Sequence, residues 1–438
     1  MNILIVGNGF DLSHYLPTKY DHFMVAMEAI LNSDEFVDYL DFDQIYGALY
    51  KTEKSFFGYT KSIYKTETIK IGNLNDIREK LKSNVWFNYF REHKSKIETW
   101  IDFEKSIGEA LTYLSILISS YENKKGQVTL IHNCVYERKV ENVEHLVFPN
   151  YISKKLETLQ VLEGYDGFYS DISVSSNNSW QVYRNYIIGN DDEFDEGEEI
   201  LELKALDILN NLYTQLDELS SLFTFYLKNI VRKLKPKKKF KKLNITSDVE
   251  IFSFNYTNTI SDIYFLDNKI SFLHGSLDND NIVLGVEDIP EGLNKYQTYD
   301  FTKYAQKIIK GTDYKFLDES IILNSIFENY KYEHSEYDCI DPEEIIIDIW
   351  GHSLDVSDGD YIKELFVLDS NPFIKPTINI YHHSDQAKKQ ILFNLYSVLG
   401  HVIVNKWLKK ERLNFVPNPN LVRLNKFIPA KLPLLDLD

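Results

Sequence analysis

The chain has 438 residues, two cysteines and a formal net charge of −18, from 66 acidic against 48 basic residues. Two cysteines exclude a disulfide framework and a four-cysteine zinc site, and the acidic balance disfavours non-specific contact with nucleic acid or anionic membrane. A hydrophobic fraction of 44%, with 30 Tyr and 27 Phe, is enough for a sizeable core.

The chain opens on Ile3–Val6, a short β-branched run that ends in Gly7-Asn8-Gly9-Phe10-Asp11. Such a run reads as a strand buried on both faces. Two glycines around one small polar residue allow a tight turn and close backbone approach, and a helix start comes next. Strand, glycine turn and helix N-terminus together can hold a nucleotide phosphate on free N–H groups. The third glycine of the full dinucleotide pattern is missing, so an ordinary βα turn stays open as a reading. No apolar run approaches the roughly 20 residues of a membrane helix. The N-terminus has neither the basic leader nor the apolar length of a signal peptide. A cytoplasmic protein is expected.

Helical spacing continues from Tyr20 to Leu40 and from Ile77 to Ser119, with an interruption near Trp100. Tyr50–Asn75 is polar and reads as irregular. Short β-like pieces stand at Val128–Ile131 and Val182–Ile188. The acidic block Asp191–Glu199 reads as a solvated loop. Leu201–Leu234 is the clearest amphipathic helix; Pro236 stops it, and the basic run Lys233–Lys242 complements its dipole. A nucleic-acid contact is the rival reading of that run.

After Asn244, strand-like runs return at Val249–Phe254, Ile270–Leu273, Ile282–Leu284, Ile345–Trp350 and Ile378–Tyr381, with a helical pattern at Ala305–Phe327. With Ile3–Val6 they predict an α/β, Rossmann-like parallel sheet. Its nucleotide-binding core would be residues 1–24 plus 245–438, carrying a mainly helical insertion of residues 25–244.

Four polar stretches stand directly after predicted strands: Gly7–Asp11, Phe254-Asn255-Tyr256-Thr257, His274-Gly275, and Gly351-His352-Ser353-Leu354 continuing to Asp358. In an open parallel sheet, ligands bind beyond the carboxyl ends of the strands. Asn255 and His274 are therefore expected at one pocket. Asp11 and Glu104 are carboxylates suited to stabilising positive charge; capping and ion pairing are the other uses of such acids. His274 titrates near neutrality and suits a base. Asp355, Asp358 and Asp360 are good turn and cap residues, and no metal is expected. His382 and His383 point to opposite faces of a strand and make a poor ligand pair.

Gly7–Leu12 with Leu16-Pro17-Thr18-x-Tyr20-x-x-Phe23 closely resembles the N-terminal signature of AbiH-type bacteriophage abortive-infection proteins. Trp100–Glu104, Phe254–Thr259, His274-Gly275 and Gly351–Leu354 match its later motifs in order. The same blocks are more remotely similar to the sirtuin-like NAD-binding fold. That resemblance implies Asn255 as orienting a ribose or the attacking water and His274 as general base. It implies contacts to the nucleotide from Gly7, Asn8, Gly9, Phe10, Pro17, Thr257, Gly275, Gly351, His352 and Ser353. Thr257 replaces the family's Asp, Tyr15-Leu16 replaces Gly-Ile, and the zinc cysteines of deacetylases are absent. The implied chemistry is hydrolysis of NAD or a related nucleotide at its N-glycosidic bond, with NAD as substrate and no further cofactor. Expected partners are that nucleotide, a phage trigger and further copies of the chain. A nuclease or RNA-modifying toxin, drawing on Lys233–Lys242 and the Asp355/Asp358/Asp360 group, and a non-enzymatic nucleotide sensor are the alternatives.

Overall fold

A computed structural model of the chain describes residues 2–94, 97, 99–122, 134–135, 150–164, 180–188, 202–241, 243, 245–296, 298–333 and 341–433. The predicted strand at 128–131 and the acidic block at 191–199 lie outside them. The chain divides into two compact units, one of residues 1–75, 222–283 and 306–438, the other of 76–221 and 284–305.

The first unit carries a six-stranded sheet, parallel throughout. Its strands are β1 (Ile3–Val6), β2 (Glu250–Ser253), β3 (Ile270–Phe272), β4 (Glu343–Trp350), β5 (Ile374–His382) and β6 (Leu413–Pro417). In space they run β3-β2-β1-β4-β5-β6. This is the doubly wound Rossmann order, in which the chain leaves β1 toward one edge and later fills the other side from β4. Isoleucine dominates the central strands because a sheet covered on both faces favours continuous β-branched runs. Ile3, Ile5, Ile347, Ile349, Ile378 and Ile380 are at most 1% exposed. They share one core with Ile362, Leu365 and Phe366 and with Leu395, Val404 and Trp407. Each such side chain contributes roughly 1.5–3 kcal/mol through burial.

Register, more than strand order, brings the turns together. Val6 pairs with Ser253 and Trp350, Phe272 with Ser253, and Trp350 with Tyr381. The strands end level, so the turns after β1, β2, β3 and β4 leave from one edge.

One sequence expectation fails within this sheet. Ile282 and Val283 are buried but form no strand: Val283 N–H donates to His274 O (3.0 Å), and its carbonyl accepts Tyr256 Oη (2.9 Å). Loop and side-chain bonds replace the ladder there. The sixth strand is instead β6, short and half-buried, with a proline at its end. A cross-strand ladder also escaped the sequence pattern. Asn379 of β5 donates to Asp348 of β4 (2.8 Å), and Asn414 of β6 donates to Asn379 (3.1 Å).

The predicted domain bounds also differ from the observed units. Residues 25–75 and 222–244 fall with the sheet. An aromatic cluster is the reason: Phe23 packs on Phe223 (5.2 Å), and Tyr46 Oη lies 2.8 Å from Tyr226 Oη. Tyr226 also donates to the Pro17 carbonyl. The segment predicted as irregular, 50–75, contains the helix Lys54–Ile63, whose Phe57, Thr60 and Ile63 form a buried stripe. The predicted helix 20–40 stops at Leu31, and that over 201–234 runs Ala205–Tyr226 and closes in a π-helical turn, Leu227–Val231. The pattern at 305–327 resolves into Lys303–Lys310, a 3₁₀ turn and Ile321–Glu333.

One helix, Asp385–Lys409, contains an 18-residue window of mean hydropathy 1.2, which passes for a membrane span by length and composition alone. It kinks at Gly400 and buries Ile391, Leu395, Val404 and Trp407.

The second unit is mainly helical, with Val85–Glu92 and Trp100–Glu122. The Trp86 indole N–H donates to Leu212 O (2.8 Å), and its ring stacks on Phe90 (5.9 Å).

Candidate active site

Val6 is followed by Gly7, and the short helix Asn8–Ser13 begins at once. The Gly9 N–H donates to Gly351 O after β4 (2.8 Å), and the Phe10 N–H to Gly7 O (2.8 Å). A Cβ on Gly7 would lie 2.7 Å from both Gly351 O and His352 Cα; one on Gly9 would lie 2.7 Å from Gly351 Cα. Gly351 itself has φ +78 and would place a Cβ 2.0 Å from Phe10 N. The glycines therefore let two turns of the sheet edge interlock at the switch point between β1 and β4. Asn8 stays half-exposed, while Phe10 is fully buried, edge-on to Trp350 (4.9 Å).

Asp11 is 1% exposed. Asn255 Nδ2 bridges Gly7 O (3.0 Å) and Asp11 Oδ1 (3.1 Å), and Thr257 Oγ1 donates to Asp11 Oδ2. Thr259 Oγ1 lies 3.1 Å from Thr257 Oγ1. Burial pushes the Asp11 carboxyl up to about 6 against these hydrogen bonds, which favour the charged form. Both amide protons of Asn255 are committed, so its Oδ1 is the group it can offer a ligand.

On the other side of the β2 turn, the Phe254 ring lies 4.0 Å from His352 and 5.2 Å from His274. Asp358 sits between the two imidazoles: Oδ1 is 3.1 Å from His274 Nε2, and Oδ2 is 3.2 Å from His352 Nε2. All three side chains are at most 10% exposed. His352 Nδ1 accepts the Leu354 N–H (3.0 Å), which leaves Nε2 to carry the ring proton toward the carboxylate. Leu354 adopts φ +52, a conformation rare for L side chains, and the buried side chain together with this bond holds the turn. Gly275 has φ +84, and a Cβ there would lie 2.0 Å from Asn281 O.

The sequence missed the role of Asp358. It stands six residues beyond His352, and a 3₁₀ turn, Val356–Asp358, returns it to the histidines. That turn is capped by Asp355, whose Oδ1 accepts the Ser357 N–H (3.3 Å), while Asp360 pairs with Lys363 (3.0 Å). Each acid has a separate structural partner, and among the described residues no His/Cys/Asp/Glu group could hold a metal ion.

The remaining expected residues are dispersed. Pro17 is buried beneath Tyr226 and contributes its carbonyl. Ser353 O accepts Asn394 Nδ2 (2.9 Å). Glu104 belongs to the second unit, where Lys303 Nζ pairs with it at 2.8 Å.

The basic run has structural partners of its own. Lys233 reaches Asn229 (3.2 Å), Lys235 pairs with Asp262 (3.0 Å) and Lys237 donates to Lys61 O (2.8 Å). Lys238 lies over Phe427 (4.7 Å) and Lys239 over Phe265 (5.4 Å).

Nothing among the curated proteins or the solved structures matches the chain. The family described as bacteriophage abortive infection AbiH matches residues 3–379, which takes in all four turns of the sheet edge and Glu104, and the chain belongs to that family.

Proposed function

We propose that this abortive-infection protein acts in the cytoplasm as a hydrolase of NAD, or a closely related nucleotide, at the N-glycosidic bond. The observation that carries the reading is the juxtaposition at the switch point of the Rossmann-order sheet. There the Asp11–Asn255–Thr257 group and the His274–Asp358–His352 group meet the interlocked turns after β1 and β4. Open α/β sheets bind nucleotides at this place. The resemblance to the sirtuin-like NAD-binding fold supports the same substrate class.

The chemistry asked of the residues is modest. Nicotinamide departs with the electrons of the N-glycosidic bond, leaving an oxocarbenium-like ribose. Asp11, mostly ionised at neutral pH, stabilises that charge. Water attacks C1′ and gives a proton to His274, whose ring Asp358 orients. The Asn255 Oδ1 accepts a ribose hydroxyl or the attacking water. Glu104, in the second unit and paired with Lys303, takes no part in this step. The nucleotide contacts expected of Gly7, Asn8, Gly9, Phe10, Pro17, Thr257, Gly275, Gly351, His352 and Ser353 belong to this reading, as do self-association and a phage trigger. The partners of Lys233–Lys239 argue against a nucleic-acid groove. The test is nicotinamide release from NAD by the purified chain, compared with its His274→Ala variant. Release by the wild type alone supports the reading; no release by the triggered wild type ends it.

A further inference from the structure

A second opening on the sheet edge lies away from these residues. A cavity of about 550 Å³ stands beyond the carboxyl ends of β5 and β6, against the end of the helix that bears Asp11. It is within the range of small-ligand sites. Its walls include Tyr15, His382, Asp385, Pro417, Asn418 and Val422.

Three of these residues carry acceptor atoms. His382 is 9% exposed, and its Nδ1 lies 3.1 Å from Ser384 O. A carbonyl only accepts, so Nδ1 carries the proton, and Nε2 of the neutral ring keeps its lone pair. Asn418 Oδ1 is buried, and among the described residues it has no hydrogen-bond partner. The Asn418 Nδ2 reaches Ser13 Oγ (3.4 Å), and Ser13 donates to Gly9 O (2.7 Å), which fixes the amide with its oxygen unsatisfied. Buried acceptors are normally paired, so this one calls for a donor. Asp385 adds a carboxylate. Around them the walls are mixed: Ser13, His383, Ser384 and Asn420 add polar groups, and Tyr15, Pro417, Pro419 and Val422 add flat or apolar surface. Tyr15 is held at φ +61 between Tyr59 (4.8 Å) and Phe56 (5.6 Å), and the Thr60 hydroxyl binds its carbonyl (2.9 Å).

We propose that this cavity is a second ligand site, for a planar heterocycle with adjacent N–H donors, a guanine-type nucleobase. A flat ring suits the Tyr15 and proline walls, and neighbouring donors suit a carboxylate, an imidazole lone pair and an orphaned amide oxygen. The site is separate from the NAD reading, and no residue of that reading lines it. It also lies next to the short helix Asn8–Ser13, so a bound base touches the element that carries Asp11.

The test is equilibrium binding of guanosine, 1-methylguanosine and spermidine to the full chain. Wild type and His274→Ala should bind guanosine alike. Val422→Trp, which fills the cavity from its rim and removes no hydrogen bond, should weaken binding at least about tenfold, and Asn418→Leu likewise. 1-Methylguanosine, lacking one donor, should bind more weakly than guanosine. The proposal is overturned if wild type binds no guanosine, or if Val422→Trp binds it undiminished. It is equally overturned if His274→Ala loses it, or if spermidine takes the cavity in its place.

Discussion

Two stretches of one sheet edge are built in opposite ways. Beyond β1, β2 and β4 the turns interlock: backbone atoms of Gly9 and Phe10 lie against Gly351, and the carboxylates of Asp11 and Asp358 have close partners. Beyond β5 and β6 the edge opens into a cavity with an unsatisfied Asn418 oxygen. The first stretch holds titratable groups in a buried, fixed arrangement, the condition for shifted pKa values and for preorganised chemistry. The second has space but fewer fixed charges, the condition for binding. On the proposed reading, this edge separates reaction, at the interlocked turns, from recognition, at the open end.

The largest effect that would break this contrast is at Gly351. Gly351→Ala puts a Cβ into the Phe10 backbone at positive φ, and neither neighbour is a flexible side-chain end. The expected loss exceeds about 4 kcal/mol, seen as failure to recover folded protein. Normal melting of this variant would mean the turns are not interlocked.

Next comes the histidine–carboxylate group. His274→Ala should lower nicotinamide release by ~10²–10⁴-fold. Asp358→Asn should lower it less and leave KM for NAD nearly unchanged, because Asp358 orients the base rather than touching the substrate. A change in KM alone would assign Asp358 to binding.

Asp11 gives a smaller effect with a defined sign. Its pKa in the fold, about 6, lies above the usual 3.8. The fold therefore favours the protonated acid, and this contribution is present below pH 3.8 and lost as pH rises through 6. Asp11→Asn, neutral and nearly isosteric, should melt a few degrees higher than wild type at pH 8. The two should converge near pH 4. Wild-type activity should fall as pH drops below about 6, and Asp11→Asn should be inactive throughout. A variant less stable at pH 8 than wild type would show that the carboxylate is stabilised by its donors, contrary to this account.

The smallest effect is at Gly400, which shares φ +78 with Gly351 but has open space where a Cβ would go. Gly400→Ala should cost about 1–3 kcal/mol, from backbone strain alone. Comparing the melting temperatures of the two variants separates strain from collision.

Much of the sheet was legible because buried parallel strands advertise themselves as isoleucine runs. Ile3–Val6, Ile345–Trp350 and Ile378–Tyr381 all lie within observed strands. Ile282–Val283 carried the same signal and forms no strand, since burial alone, without ladder partners, produces the same composition. β6 was missed because this edge strand is only five residues long, is interrupted by Asn414 and ends in Pro417. Of the candidate site, the grouping of Gly7–Asp11, Asn255, His274 and His352 could be read from their positions after strands. The bridging place of Asp358 could not, because it depends on a 3₁₀ turn that folds back over six residues. Nor could spacing reveal that Gly9 donates to Gly351, or that Asn255 turns both amide protons inward.

The central claim concerns what these residues do to a nucleotide in an infected cell. NAD should be measured by mass spectrometry during phage infection in cells expressing the wild type, His274→Ala or no protein, with the two forms at equal abundance. The account predicts that NAD collapses, with nicotinamide accumulating, only in the wild-type strain. NAD that stays level in all three, or falls equally with His274→Ala, would contradict it.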